Sequence, residues 1–323
     1  MSEMVYSDAL ADALYDRMKS DRSVLACGTS FLMGPGMRTD VVNKMRDENA
    51  DRIIDPPIAE SAIATLGIGA ALAGAKPFIH FGRASFAYEA LSQICTEAAN
   101  VHYMSNGQQT CPVVMHMYHG LLPVESAQHC HSPQAFFWNT PGLEIVLPST
   151  PQDVYSLMQS AFESPNPTIV LGHARLMAVK GAVNKKQHIP LGKAEVRRAG
   201  SDITIVATSW TVHTVLEAAD ALAKTGISVE VIDPRTLVPF DKETVLESVS
   251  KTGRLIIVDE TSLSCGVASE ISAIVAEAAF SSLKAPICRI SRPDVPVIFS
   301  NELQDLFAPS VQTIIDRAAA LIK

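Results

Sequence analysis

The sequence lacks the short motifs that mark several large classes of enzyme. It contains no GxGxxG stretch after an apolar strand, no Walker A lysine loop, no GxSxG elbow and no HExxH helix. Each of these motifs works through the fixed spacing of its glycines, lysine, serine or histidines. Their absence removes the main support for a simple dinucleotide, nucleoside triphosphate or hydrolase function.

Basic clusters, paired cysteines and long apolar runs are missing as well. The 323 residues carry a net charge of −8 with no basic cluster, which argues against nucleic acid as a partner. The six cysteines are scattered without a CxxC pair, so reduced thiols and a cytoplasmic location are predicted. No signal peptide is expected at residues 1–6, and the apolar run at 62–75 is too short to cross a membrane.

The remaining composition is that of a globular protein with a large core. Hydrophobic residues make up 47% of the chain and charged residues 19%. The length is sufficient for two domains of ordinary size. This balance suits a chain that buries additional surface in an oligomer.

One carboxylate, that of Glu60, lies at the start of a predicted helix that has no other charged residue. Residues 55–61 read DPPIAES, and residues 62–75 are almost all small or apolar. The two prolines impose an extended approach, so a helix is predicted to begin near Ile58, with Glu60 in its first turn. Because the helix is apolar on every face, we expect it to be buried. Two roles stay open for Glu60, a catalytic acid or a capping glutamate at the surface.

Strands and helices alternate along two stretches of the chain, and this alternation predicts two doubly wound parallel sheets. The fold class is therefore α/β, with domains at 1–178 and 199–323 and a linker over 179–198. The predicted strands are 23–28, 52–55, 76–81, 112–117, 143–147, 168–171, 203–207, 228–232, 254–258 and 286–290. The predicted helices are 4–20, 38–48, 58–75, 86–104, 211–225, 241–251, 266–279 and 309–322, with Thr150 capping another helix at Pro151, a turn at 34–36 and a polar loop over 119–133.

Several motifs, taken in order, resemble one family across nearly the whole chain. DPPIAE at 55–60 resembles DTPISE, YMSNGQ at 103–108 resembles YMSGGQ, and AQH at 127–129 resembles the AQH of an active-site loop. Further matches are PGL to PSTP over 141–151, DPRTLVP at 233–239, PDVP at 293–296 and PSV at 309–311. Together they resemble the β subunits of thiamin-diphosphate-dependent 2-oxo acid dehydrogenases of the pyruvate, branched-chain and acetoin types, which are related to transketolase.

The resemblance implies an N-terminal pyrimidine-binding domain and a smaller C-terminal transketolase-type domain. It implies that Glu60 hydrogen-bonds the aminopyrimidine ring of thiamin diphosphate and activates the cofactor, which then accepts electrons as carbon dioxide leaves. Ile58 and Phe86 join the implied cofactor-binding set, although an ordinary core Phe fits position 86 equally well. His129 aligns with a histidine that assists acyl transfer to lipoamide, the alternative being a solvated loop histidine. A metal site at His129 and His131 is disfavoured by their close spacing.

The resemblance also implies partners, because the family holds the diphosphate and Mg²⁺ through a GDG motif on an α subunit. No GDG occurs in this chain. An α subunit carrying that motif, β–β association in an α2β2 assembly and a lipoyl acyltransferase core are therefore expected. Some relatives bind K⁺ through main-chain groups near 161–166, which makes Ala161, Ser164 and Asn166 candidate ligands, although Ser164 stands where an acidic residue is usual.

Some segments depart from the family pattern. HFGRASF at 80–86 replaces EFMxFxF, HMYHG at 116–120 replaces RGPxG, and residues 121–126 replace a glycine-rich approach to AQH; GTS at 28–30 replaces GED. We expect these changes on the substrate side. The predicted function is decarboxylation of a 2-oxo acid with acyl transfer to lipoamide. The alternatives are a two-chain carboligase or transketolase-like enzyme with a carbon acceptor, and a non-catalytic scaffold subunit.

Overall fold

The computed structural model describes residues 1–28, 39–122, 125–304 and 306–322. Contacts divide the chain into a first unit, Met1–His119 with Phe136–Leu191, and a second unit, Gly120–Ala135 with Gly192–Lys323. The domain boundaries predicted from the sequence remain a proposal, and by contacts the segment 120–135 groups with the later part of the chain. The predicted turn at 34–36 and the substitutions at 29–30 and 123–124 lie outside the described residues.

The described residues form strands and helices that alternate along the chain, as predicted. The strands are β1 Ser2–Val5, β2 Val24–Gly28, β3 Ile53–Ile54, β4 Lys76–Arg83, β5 Val114–His119, β6 Glu144–Val146, β7 Thr168–His173, β8 Lys180–Val183, β9 Glu195–Arg198, β10 Ile203–Ala207, β11 Val229–Asp233, β12 Thr236–Val238, β13 Leu255–Ser262 and β14 Cys288–Arg292. The α-helices are α1 Tyr6–Ser20, α2 Thr39–Glu48, α3 Glu60–Leu72, α4 Val101–Met104, α5 Ser126–His129, α6 Gln134–Trp138, α7 Pro151–Glu163, α8 Thr211–Ala223, α9 Lys242–Thr252, α10 Val267–Ala279, α11 Asn301–Gln304 and α12 Val311–Ile322.

The first unit is built on a parallel sheet with the strand order β6-β7-β5-β4-β2-β3. The chain leaves β2 for β3 at one edge and then returns to β4 on the other side of β2. This reversal is the switch point at which open α/β sheets bind ligands, beyond the carboxyl ends of the strands. Gly28 ends β2 with φ +153° and lies opposite His80 on β4, and a Cβ at Gly28 would be 2.2 Å from the His80 carbonyl oxygen.

Helices cover both faces of this sheet. On one face α3 packs against β4, since a Cβ at Gly67 would lie 2.2 Å from Cδ1 of Ile79. On the other face α7 packs near β4, because the rings of Phe78 and Phe162 are 6.4 Å apart. Neighbouring side chains on a strand point to opposite faces, so Ile79 faces α3 while Phe78 and His80 face α7. The doubly wound fold predicted for this part of the chain is confirmed.

The second unit has a sheet with the strand order β14-β13-β10-β11-β9, in which β9 alone is antiparallel to its neighbour. Its α8 packs with α12, and its α9 packs with α10. The core between the sheet and α8 and α12 is almost entirely aliphatic, with Ile205, Val215, Leu222 and Ile314 fully or almost fully buried. Continuous aliphatic strands of this kind are typical of a parallel sheet that is covered on both faces.

Two local expectations differ from the structure. The predicted helix over 86–104 is a 3₁₀ helix at Phe86–Ala90, a π-helix at Ser92–Ala98 and the short α4, because periodicity does not distinguish these helix types. The predicted linker contains two strands, β8 and β9, and β8 pairs antiparallel with β1. In the described ranges, none of the helices is both long and apolar enough to cross a membrane.

Candidate active site

Glu60 is the first residue of α3 and is almost buried, with 9% of its surface exposed. The helix begins two residues later than predicted because Ala59 has φ −161° and is not helical. The prolines at 56 and 57 keep the preceding chain out of helix, as expected. In a doubly wound sheet, a helix that follows a strand begins near the carboxyl ends of the strands. The carboxyl group of Glu60 is therefore on the ligand-binding edge of the first unit.

The two other residues of the predicted cofactor set are placed differently. Phe86 is half-buried and begins a 3₁₀ helix that packs on α3, the helix that Glu60 starts. The ring of Phe86 lies over Gly82, whose φ of +74° makes the turn after β4. Ile58 is 80% exposed, so its side chain packs against little of the described part of the chain. The structure thus brings the elements of Glu60 and Phe86 together and leaves Ile58 at the surface.

His129 lies in the second unit, at the end of the short α5. We call Gly120–His131 the His129 loop. Its ends meet, because the N–H of Gly120 donates to the carbonyl oxygen of His131 at 3.2 Å. Nδ1 of His129 lies 3.3 Å from Oε2 of Glu125. The expected polar loop therefore contains a helical turn that presents an imidazole beside a carboxylate.

Two buried charged side chains of the second unit hold the His129 loop near its ends. The N–H of Leu121 donates to Oε2 of Glu260 at 3.1 Å, and Nη1 of Arg292 donates to the carbonyl oxygen of Cys130 at 3.2 Å. Both charged side chains are buried, where charge-assisted hydrogen bonds are at their strongest. Leu121 and Cys130 also pack with Val297 in a small apolar cluster. Polar and apolar contacts thus fix the described part of the loop at Leu121 and at Cys130.

A cavity of about 390 Å³ opens beside the His129 loop within the second unit. Its lining combines the guanidinium of Arg292 with polar groups of His131, Ser262 and Asp294. Burial and the charge of Arg292 lower the pKa of His131, so this imidazole is neutral near pH 7. Hydrogen bonds from Ser264 hold the pKa of the Asp294 carboxyl below its usual range. The cavity therefore presents one positive and one negative charge.

Sequence reasoning placed His80 and His116 on the substrate side, and the structure corrects this. Both are buried in the first unit, on the sheet face opposite α3, with their Nδ1 atoms 2.9 Å apart. Side chains alternate between the two faces of the sheet along β4 and β5. His80 and His116 both point to the face that carries Phe78, which explains their burial. Desolvation lowers the pKa of His80 to about 4 and that of His116 well below its usual value. Both imidazoles are neutral at pH 7, and the Nδ1–H of one donates to the Nδ1 of the other.

A second pair of buried histidines was not identified from the sequence. His119 ends β5 and His173 ends β7, and their rings meet edge to face at 5.0 Å. Nδ1 of His173 accepts the N–H of Arg175 at 3.0 Å, so its proton is on Nε2. The sequence held one signal for this pair, because each histidine follows the end of a predicted strand by two residues.

The candidate K⁺ ligands lie at the end of α7 and in the turn after it. The N–H of Ser164 donates to the carbonyl oxygen of Ala161 at 3.3 Å, and Nδ2 of Asn166 donates to Oε1 of Glu144 at 3.0 Å. The Ala161 carbonyl oxygen and the Asn166 side chain thus already have hydrogen-bond partners within the chain. Among the residues whose positions are described, no three His, Cys, Asp or Glu side chains converge in a way that would hold a metal ion.

Comparison with known proteins defines the class. The family description "Transketolase, pyrimidine binding domain" matches residues 2–179, and "Transketolase, C-terminal domain" matches residues 192–314. A solved chain described as a split-gene transketolase in an inactive β4 tetramer superposes with a TM-score of 0.81 at 20% identity, covering 97% of this chain and 96% of that one. At that identity the likeness shows the fold.

Curated relatives are more specific. The chain is 38% identical over 300 residues to the 2-oxoisovalerate dehydrogenase subunit β of Bacillus subtilis, covering 92% of each. It is 38% identical over 325 residues to the acetoin:2,6-dichlorophenolindophenol oxidoreductase subunit β of Cupriavidus necator, covering 98% of this chain and 96% of the relative. The chain belongs to the thiamin-diphosphate-dependent, transketolase-like family of 2-oxo acid dehydrogenase β subunits, which confirms the resemblance stated from its motifs.

Proposed function

We propose that this chain is the β subunit of a two-chain enzyme that decarboxylates a 2-oxo acid and passes the acyl group to lipoamide. The observation that carries the proposal is the buried carboxyl group of Glu60 at the ligand-binding edge of a pyrimidine-binding fold. The aminopyrimidine end of thiamin diphosphate fits this place, since Glu60 supplies a dry hydrogen-bonding group and the element of Phe86 supplies aromatic surface. When bound, the cofactor supplies the electron sink for decarboxylation.

Glu60 and His129 have separate roles in the proposed reaction. Glu60 hydrogen-bonds a ring nitrogen of the aminopyrimidine and holds a proton there. His129 supplies a proton in the transfer to the acceptor. In that transfer a carbon–sulfur bond forms, the sulfur–sulfur bond of lipoamide breaks, and the two electrons come from the fragment left by decarboxylation. The leaving sulfur takes the proton from His129.

The diphosphate end of the cofactor does not fit the described residues, which offer no metal-ligating cluster. We therefore propose that an α subunit with a GDG motif holds the diphosphate and Mg²⁺.

A K⁺ ion near Ala161, Ser164 and Asn166 also belongs to the proposal. If K⁺ binds there, replacing NaCl with KCl at constant ionic strength is expected to raise the melting temperature of the chain.

An apolar surface of the first unit supports self-association. The face of α3 turned away from the sheet exposes 38% of Leu66 and 42% of Leu72, and nearby Tyr103 is 88% exposed. Leu72 and Met104 also line a cavity of about 490 Å³. Apolar faces that a monomer leaves exposed mark interaction sites. We propose that this face, which we call the α3 face, packs against a second copy of the chain in an α2β2 assembly.

The function is tested on the complex purified through an affinity tag on this chain. Pyruvate and 2-oxoisovalerate are offered with 2,6-dichlorophenolindophenol as electron acceptor, and then with lipoamide or an aldehyde. We expect dye reduction and lipoamide acylation with one of the 2-oxo acids. Ketol formation without acylation would favour the carboligase alternative, and a complex inactive in every assay would favour the scaffold alternative.

Glu60→Gln tests the site. Gln keeps the size of the side chain and removes the ionisable carboxyl group, so we expect dye reduction to fall about 10²- to 10⁴-fold, with an unchanged circular dichroism spectrum. Glu89→Gln is the matched control, because Glu89 is exposed in the same unit. Full activity of Glu60→Gln would remove Glu60 from the catalytic set.

A further inference from the structure

The His129 loop carries a carboxylate where the resembling family has a glycine-rich approach. Glu125 precedes α5, and its Oε2 lies 3.3 Å from Nδ1 of His129, four residues further on. Both side chains belong to the second unit and are partly exposed. The contact thus joins a residue of the family motif AQH to a residue of the segment that departs from the family.

A carboxylate beside one nitrogen determines what the other nitrogen of an imidazole can do. Neutral imidazole carries a single proton, and a carboxylate that accepts from Nδ1 keeps that proton on Nδ1. Nε2 then has a lone pair, and after protonation it is a proton donor. The same arrangement of carboxylate and histidine orients the general base of serine hydrolases.

A left-handed residue lies between Glu125 and His129. Ser126, between Glu125 and the rest of α5, has φ +61°, a left-handed conformation that costs a non-glycine residue about 1 kcal/mol or more. Such a conformation persists when its surroundings fix it. Glu260 holds the chain at Leu121 and Arg292 holds it at Cys130, so the described residues 125–129 lie between two anchored points.

We propose that Glu125 is a positioning residue for His129. Glu125 holds the imidazole of His129 in the Nδ1–H tautomer, so that Nε2 is the atom that exchanges the proton. This inference rests on the proposed function. In the transfer to lipoamide, the carbon–sulfur bond forms as the sulfur–sulfur bond breaks, with electrons from the decarboxylated fragment. Nε2 of the protonated His129 gives its proton to the leaving sulfur, while Glu125 keeps the ring in place.

The test separates two half-reactions in the tagged complex. Dye reduction reports decarboxylation, because the dye takes the two electrons and water takes the acyl group. Lipoamide acylation requires the proton transfer in addition. Glu125→Ala is expected to lower kcat for acylation about 10- to 100-fold while dye reduction changes less than about twofold. Glu125→Gln is expected to recover part of the loss, because its amide oxygen still accepts from Nδ1.

A second measurement does not depend on activity. The full chain labelled with ¹⁵N-histidine reports the tautomer of each imidazole, and His129→Gln identifies the signal of His129. We expect the Nδ1–H form in the wild-type chain and a shift toward the Nε2–H form in Glu125→Ala. Glu247→Ala makes the same chemical change on the exposed side of α9 and is expected to alter neither the tautomer nor the activities.

The outcomes distinguish the two proposals. If the wild-type complex reduces the dye and the Glu125→Ala complex acylates lipoamide at the wild-type rate, the role of Glu125 is overturned. The proposed function then still stands. Equal losses in both half-reactions with an unchanged tautomer assign Glu125 a merely structural role and also overturn the inference. A wild-type complex without dye reduction refutes the proposed function and, with it, this inference.

Discussion

At the scale of single residues, burial decides which titratable groups can act. His80 and His116 occupy positions that the sequence assigned to the substrate side, yet the strand places both in the core. The identity of a residue can be read from a sequence, but the face of the strand to which it points depends on register with neighbours far along the chain. Glu60 was more predictable, because two prolines and a helix start are local signals.

The buried histidine pair predicts a loss of stability in acid. The unfolded chain protonates histidine near pH 6.5, whereas folded His80 is protonated only near pH 4. Between these values the unfolded state binds more protons, so stability falls as the pH is lowered through this window. For His80 the loss is about 2 kcal/mol by pH 5.

Urea unfolding at pH 7.5 and pH 5 measures this effect. The wild-type chain should lose about 2 kcal/mol more than His80→Gln between these two pH values. His188→Gln is the control, because His188 is exposed and should retain the wild-type dependence. An equal pH dependence in wild type and His80→Gln would contradict the prediction.

At the scale of elements, local rules predicted several boundaries. Thr150 caps α7 by accepting the N–H of Asp153, with Pro151 at the first helical position, as the sequence indicated. The sequence predicted that α3 is buried on every face, and the structure shows burial on one face only. One face packs on β4, and the other face exposes Leu66 and Leu72. Composition alone shows that such a helix avoids water, and it does not show which chain covers it.

Two glycines of α3 predict opposite effects of the same substitution. A methyl group at Gly67 would lie 2.2 Å from Cδ1 of Ile79, so Gly67→Ala should destabilise the chain by about 1–3 kcal/mol. A methyl group at Gly69 meets nothing within 4 Å, so Gly69→Ala should stabilise it by up to about 1 kcal/mol. Urea unfolding of the two variants serves as a matched pair. A change of the same sign in both would contradict the packing of α3 on β4.

At the scale of the whole molecule, each unit was predicted as a doubly wound α/β fold, and both are found. The placement of residues 120–135 was less accessible to sequence reasoning. Its contacts in the second unit come from Glu260 and Arg292, more than a hundred residues further along. No local pattern reports pairs at such a distance, so the segment was predicted only as a polar loop.

The α3 face predicts the response of the assembly to charge. Leu72→Lys should weaken association of the chain with its copy at least about tenfold, because a buried lysine without a partner costs more than about 1.4 kcal/mol. Leu263→Lys is the control, a similarly exposed leucine in the second unit. Sedimentation velocity measures the assembled fraction. Equal assembly of both variants and wild type would place the self-association surface elsewhere.

The anchoring of the His129 loop has a consequence for synthesis on the ribosome. Residues 120–131 leave the ribosome long before Glu260 and Arg292 have been translated, so the loop cannot acquire its buried contacts at that time. A nascent chain that stops after the first unit would expose Leu121 and Cys130, which are fully buried in the finished protein. His129, to which we assign the proton transfer, therefore lies in a loop that acquires its contacts to Glu260 and Arg292 only when most of the chain has been translated, and chains truncated before these residues lack both contacts.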